Sequence, residues 1–140
     1  MANKTYATEW LEKAYHDLDS AMILFNAGHY TDTIGYILHQ SIEKIFKSLL
    51  AYENKPILKT HNLVELHELL TEYMELPEDE IILLGIATTY NTQQRYPTLH
   101  KRLPPREEIA RILALSQKLL DRVCRLLDID QNVFLRHLPL

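Results

Sequence analysis

Arg95 and His100 are the two side chains whose types and spacing point to chemistry. They lie in Gln94-Arg95-Tyr96-Pro97-Thr98-Leu99-His100, a stretch stiffened by proline. An arginine is a permanently charged fork that clamps a phosphate through two hydrogen bonds, and a histidine exchanges a proton near neutral pH. Together they are the parts needed to cleave RNA without a metal. The histidine takes the 2′-hydroxyl proton so that the oxygen attacks its own phosphate, and the arginine stabilises the added negative charge. An arginine and a histidine five positions apart also arise by chance. The competing reading is a solvated loop in which Arg95 pairs with an acidic helix.

Charge distribution adds to the first reading. The chain carries a net charge of −4 over 140 residues, yet Arg95, Lys101, Arg102 and Arg106 fall in one stretch that contains no acid. A basic connector on an otherwise acidic protein gives an anion a specific place to go, and Lys101, Arg102 and Arg106 would draw in an RNA backbone in a salt-dependent way. Glu43 and Lys44 admit two readings. With Ile42, Ile45 and Leu49 around them they form a partly solvated helix face with local ion pairing, or they line a site beneath Arg95 together with Tyr96.

Other chemistries find no support. There is no Gly-rich phosphate loop, no His-Glu-x-x-His pattern and no Glu-x-x-His pair, so neither a metal nor another cofactor is expected. His16, His29, His39, His61, His67 and His137 show no ligand spacing and read as structural or surface residues. The single Cys124 sits in an apolar helical pattern and reads as a small core residue, which suits a reducing cytoplasm. The start of the chain lacks a signal-peptide pattern, and no apolar run approaches the roughly 20 residues needed to cross a bilayer, so no membrane association is expected.

The elements that position these residues are helices. Three glycines and six prolines leave little material for the tight turns of an all-β fold. Leu11, Ala14, Tyr15, Leu18, Ala21, Met22 and Phe25 recur at helical spacing before Gly28, and Ile34, Ile37, Leu38, Ser41, Ile45, Leu49 and Tyr52 repeat the pattern as far as Glu53-Asn54-Lys55-Pro56. Asn62 with Glu65 opens a third helix carrying Leu63, Leu66, Leu69, Leu70 and Tyr73. Pro77 opens a fourth with Ile81 to Tyr90 as its body, in which Gly85 marks close approach by another helix or another chain. Pro104-Pro105 precedes a fifth, with Ile109, Ile112, Leu113, Ser116, Leu119, Leu120, Val123 and Leu127 on its apolar face. The expected architecture is an all-α, up-and-down bundle of four to five helices over residues 1–128. Residues 129–140 form a C-terminal tail whose Val133, Phe134, Leu135 and Leu138 dock on this subunit or a second one. Between helices four and five, a connector from about Gln93 to Pro105 is long for a compact bundle, and loops of that length are usually functional or disordered.

In order along the chain, Trp10 with Ala14, Asp17, Leu18 and Ala21, then Gln40-Ser41-Ile42-Glu43-Lys44 with Lys47, then Lys59-Thr60-His61-Asn62-Leu63, then Tyr90 with Arg95-Tyr96-Pro97 resemble the HEPN domain, a helical family of prokaryotic toxin–antitoxin pairs and other RNA-targeting systems. The resemblance spans about residues 8–127. The family's ribonuclease signature is an arginine, four to six residues, then a histidine, and Arg95 to His100 matches it. The resemblance implies a homodimer in which both copies of Arg95 and His100 build one metal-independent endoribonuclease site, and a minimal nucleotidyltransferase antitoxin as partner. Two positions depart from the pattern. Tyr96-Pro97 stands where active members carry a small polar residue, and Arg102 stands where a nucleotidylated tyrosine would fall. The alternative reading is a non-catalytic module that binds nucleotide, RNA or a nucleotidyltransferase partner in the same cleft.

Overall fold

The structure, a computed structural model, describes residues 2–95 and 103–137. Five α-helices occur among the described residues: α1 (Lys4–Asn26), α2 (Thr31–Tyr52), α3 (Leu63–Glu68), α4 (Glu78–Arg95) and α5 (Arg106–Leu126), followed by a 3-10 helix (Gln131–His137). No strand appears among them.

α1 and α2 form an antiparallel hairpin. α1 starts where the Asn3 side chain accepts the Tyr6 backbone N–H, and it buries Ala7, Leu11, Ala14, Leu18 and Ala21, a stripe of three- and four-residue steps. It stops at Gly28, which adopts a φ of 72°; there the Gly28 N–H reaches the Phe25 carbonyl and the His29 N–H reaches the Leu24 carbonyl. α2 is the central helix and is buried on most sides. Its apolar residues Ile34, Leu38, Ile42, Ile45, Phe46 and Leu49 are joined inside by His39, Ser41, Glu43, Lys47 and Ser48. Such polar groups need partners once they leave water. The Ser41 hydroxyl donates to the Ala14 carbonyl at 2.9 Å and receives the Ser116 hydroxyl at 3.2 Å, tying α1, α2 and α5 together.

Two cations fasten α1 to α5 at opposite ends. The Arg106 guanidinium donates to the Phe25 carbonyl at the end of α1 (2.8 Å) and lies 3.7 Å above the Phe25 ring. Lys4 at the start of α1 donates to the Asp128 carbonyl just past α5. Both meet the negative end of a helix dipole.

Three sequence expectations need correction. The third helix closes at Glu68, and the chain continues to Tyr73 through turns in which Leu70 N–H bonds the His67 carbonyl and Tyr73 N–H the Leu70 carbonyl. The fourth helix runs on to Arg95, so Arg95 ends a helix instead of opening a loop. Nothing in Asn91-Thr92-Gln93-Gln94 breaks a helix, whereas Pro97 disfavours the helical conformation of the residue before it. Gly85 meets no described heavy atom within 4 Å of a built Cβ, so of the two neighbours expected there, another helix or another chain, the described helices are ruled out. The close-approach glycine is Gly35 on α2, against Tyr90 and Ile109.

In the tail, Phe134 is fully buried with its ring centroid 5.5 Å from that of Tyr15 on α1 of the same chain. Among the described residues no helix is long and apolar enough to cross a membrane.

Candidate functional site

A row of polar groups, buried at His39, Glu43, Lys47 and Asn91, runs along one side of α2 and ends on α4 one turn before Arg95. At one end Lys47 donates to Glu43 Oε2 at 3.1 Å, an i,i+4 pair in which both side chains are buried. Glu43 Oε1 accepts the Nδ1–H of His61 at 2.8 Å, and the His61 ring is half exposed. The His61 carbonyl accepts the Nε2–H of His39 at 2.7 Å. His39 Nδ1 then accepts the Gln40 amide at 3.2 Å, and the same Gln40 Nε2 also donates to Asn91 Oδ1 at 3.4 Å.

The directions of these bonds are fixed by what each group can give. A carbonyl only accepts and an amide nitrogen only donates, so His39 is neutral with its proton on Nε2. Burial agrees, holding the His39 imidazole below its ordinary pKa of 6.5 against the opposing pull of the His61 carbonyl and Glu43. His61 donates from Nδ1, which leaves the lone pair of the neutral ring on Nε2, and that atom has no partner among the described residues.

Neighbouring contacts fix the ends of the row. Asn62 caps α3 by accepting the N–H groups of Val64 and Glu65, and the Leu63 N–H donates to Thr88 Oγ1 on α4 at 3.1 Å, so the segment bearing His61 is tied to α4. Asn91 is buried, and Arg95 follows it by one turn, about 6 Å along the helix axis. Beside it the buried ring of Tyr90 seats against Gly35, and its hydroxyl donates to Glu108 on α5. Burial first, and then Glu108, raise the Tyr90 pKa far above its ordinary value, so the phenol keeps its proton.

The sequence-predicted residues are distributed as follows. Arg95 is the last residue of α4. Tyr96, His100, Lys101 and Arg102 lie outside the described residues. Arg106 is described, and its guanidinium is engaged with Phe25. Glu43 belongs to the buried row, paired locally with Lys47. Lys44 pairs instead across the hairpin with Asp17 on α1 at 2.6 Å.

His39, Gln40, Lys47, His61 and Asn91 were not singled out by residue chemistry. Their partners are 51 residues apart for Gln40 and Asn91, 22 for His39 and His61 and 18 for His61 and Glu43, spacings that no single helix produces. The available signal was that Gln40, Glu43, Lys47 and His61 all sit within the segments that resemble one family. Among the described residues, no group of three or more His, Cys, Asp or Glu is placed to hold a metal ion.

Chemically, the row can hold the last turns of α4 in one register against α2, and it presents an oriented imidazole at the surface. Comparison with known proteins fits this geometry. The model of the HEPN domain matches residues 7–127. Among solved structures, TT1696 from Thermus thermophilus superimposes with a TM-score of 0.72 at 28% identity, covering 85% of this chain and 96% of that one. ST0689, an archaeal HEPN homologue, does so with a TM-score of 0.66 at 19% identity, covering 88% and 98%. A search of curated proteins found no match. With the family match extending from the first turns of α1 to the end of α5, the chain belongs to the HEPN domain family.

Proposed function

We propose that this protein is a metal-independent endoribonuclease, the toxin-like component of a cytoplasmic toxin–antitoxin pair, with a minimal nucleotidyltransferase as its antitoxin. The carrying observation is the position of Arg95: it closes α4 one turn after the buried Asn91 and directly before the basic connector. A phosphate-binding charge is placed more accurately from a helix than from a loop.

In this reading Arg95 binds the scissile phosphate, and His100 acts as acid/base. Lys101 and Arg102 hold the RNA backbone. Arg106, committed to Phe25, adds to the field without a direct contact. Two copies pair so that both Arg95–His100 sets face one cleft.

The test is incubation of purified protein with labelled single-stranded RNA in EDTA, comparing wild type with His100→Ala. Cleavage by wild type and a loss of about 10²-fold or more in the variant is the expected result. Cleavage that survives the substitution removes His100 from the mechanism. The Tyr96-Pro97 departure favours a second reading, a non-catalytic module for nucleotide, RNA or the nucleotidyltransferase. Its signature is binding without turnover, abolished by Arg95→Ala.

A further inference from the structure

From Thr60 to Tyr90 the chain carries seven acidic residues and no lysine or arginine. Acids alone mark a solvated face, and two of these already have partners: Glu80 pairs with Lys118 of α5, and Glu65 accepts the Thr60 hydroxyl. Glu68 and Glu75 have no ion-pair partner among the described residues, and both line one cavity.

That cavity, about 410 Å³, lies where α3 stops short. His67 and Glu68 come from α3, Thr71 from the turns that follow, Glu75 and Leu76 from the link into α4, and Ile81 from the first turn of α4. Its volume falls among those of small-molecule sites, roughly 300–1,000 Å³. Ile81 precedes Arg95 by about 21 Å along the axis of α4, so the cavity is at the other end of that helix from the basic connector.

The second observation is His67. Its ring is 4% exposed, packs on Phe46 of α2 with centroids 6.4 Å apart, and forms part of the cavity lining. Its buried Nε2 has no hydrogen-bond partner among the described residues. His39, also buried, has a partner on each ring nitrogen. A polar atom without a partner away from water costs stability, so an imidazole left in this condition against a cavity has bonding capacity to give a ligand.

Charge and shape select the ligand. Two unpaired carboxylates repel phosphates and attract a cation. A compact metal ion does not fit, because no three His, Cys, Asp or Glu among the described residues converge closely enough to hold one. The match is a cation whose charges are themselves apart, joined by methylenes that can lie on Leu76 and Ile81.

We propose that this cavity binds a linear alkyl polyamine. Its ammonium groups meet Glu68 and Glu75, with the Thr71 hydroxyl and the His67 imidazole as further acceptors. This goes beyond the ribonuclease reading and does not depend on it.

The test follows the His67 ring by proton–carbon NMR of the histidines, its signal assigned by its loss in His67→Gln, while spermidine is added at constant ionic strength. A saturable shift of the His67 signal is expected, with no comparable shift on adding magnesium chloride. Glu68, Glu72, Glu75 and Glu78 are all exposed, so their substitution leaves the bundle folded. Glu68→Gln with Glu75→Gln is expected to weaken spermidine binding at least about fivefold. Glu72→Gln with Glu78→Gln removes the same charge outside the cavity lining and should change it less than about twofold. A His67 response that does not saturate, that magnesium reproduces, or that both double variants weaken equally overturns the proposal, since each marks diffuse attraction to an acidic surface. A saturable response to a lysine-rich peptide with none to spermidine also overturns it, and reassigns the cavity to a protein side chain.

Discussion

A methyl group placed on Gly35 would lie 2.8 Å from Cδ2 and 3.0 Å from Cγ of Tyr90, with Ile109 Cδ1 at 3.2 Å. The ring cannot retreat easily, because its hydroxyl is bound to Glu108 and its other neighbours are core residues. Gly35→Ala is therefore expected to destabilise the bundle even though alanine is the better helix former. Overpacking costs about 1–3 kcal/mol, against a propensity gain of about 1 kcal/mol. Thermal unfolding of Gly35→Ala, and of the same change in a Tyr90→Leu background where the clash is gone, measures the coupling. Equal losses in both backgrounds would contradict it.

His39 gives stability a pH dependence. Burial lowers its pKa below 6.5 in the folded protein, so the unfolded chain binds more protons over the interval between the folded value and 6.5. The contribution from His39 is complete above that interval and is lost as pH falls through it. Denaturant titrations between pH 7 and pH 5 should show falling stability in wild type and a shallower fall in His39→Gln. Parallel curves would sink the assignment.

Arg106 carries a structural task that its place in the basic connector conceals. Arg106→Ala removes both the bond to the Phe25 carbonyl and the stacking on the Phe25 ring, an expected loss of about 1–2 kcal/mol. Lysine should recover little, lacking the planar fork. In RNA binding, Lys101→Ala and Arg102→Ala should each lower the salt slope by about one, while Arg106→Gln leaves it nearly unchanged. A full unit lost in Arg106→Gln would mean that the guanidinium leaves Phe25 for a phosphate.

Cys124 should be inert in the native state. Burial, and then Asp121, push its thiol up to about 12, so almost no thiolate exists at neutral pH. Labelling by iodoacetamide at about pH 7.5 is expected only with denaturant, and fast labelling of the folded protein would show that α5 opens locally.

Periodicity alone conveys most of this bundle, because α1 and α5 bury residues spaced three or four apart, α2 carries the same pattern within a wider buried surface, and all three end at residues suited to left-handed turns. It overstates α3, where Leu69, Leu70 and Tyr73 keep helical spacing but the backbone closes in tighter turns. It also passes over the glycine that the described helices pack against. Gly85 interrupts an apolar run and draws attention, whereas Gly35 matters through Tyr90, 55 positions away and invisible to any local pattern. The candidate site divides in the same way. Arg95 and its basic surroundings are legible as charge and spacing. The Glu43–His61 contact depends on the path of the chain between Tyr52 and Asn62, which residue spacing does not encode.

The cations that hold α1 to α5 bridge 124 residues from Lys4 to Asp128 and 81 from Phe25 to Arg106. Chain closure over such separations is paid for late, after local helices and the α1–α2 hairpin can already form. On the ribosome, the start of the first helix can be held early, by Asn3 on the Tyr52 carbonyl, but its far end waits for Arg106 to emerge. Until then the apolar stripe of α1 lacks the cover that α5 gives it, and that surface is open to wrong partners during synthesis.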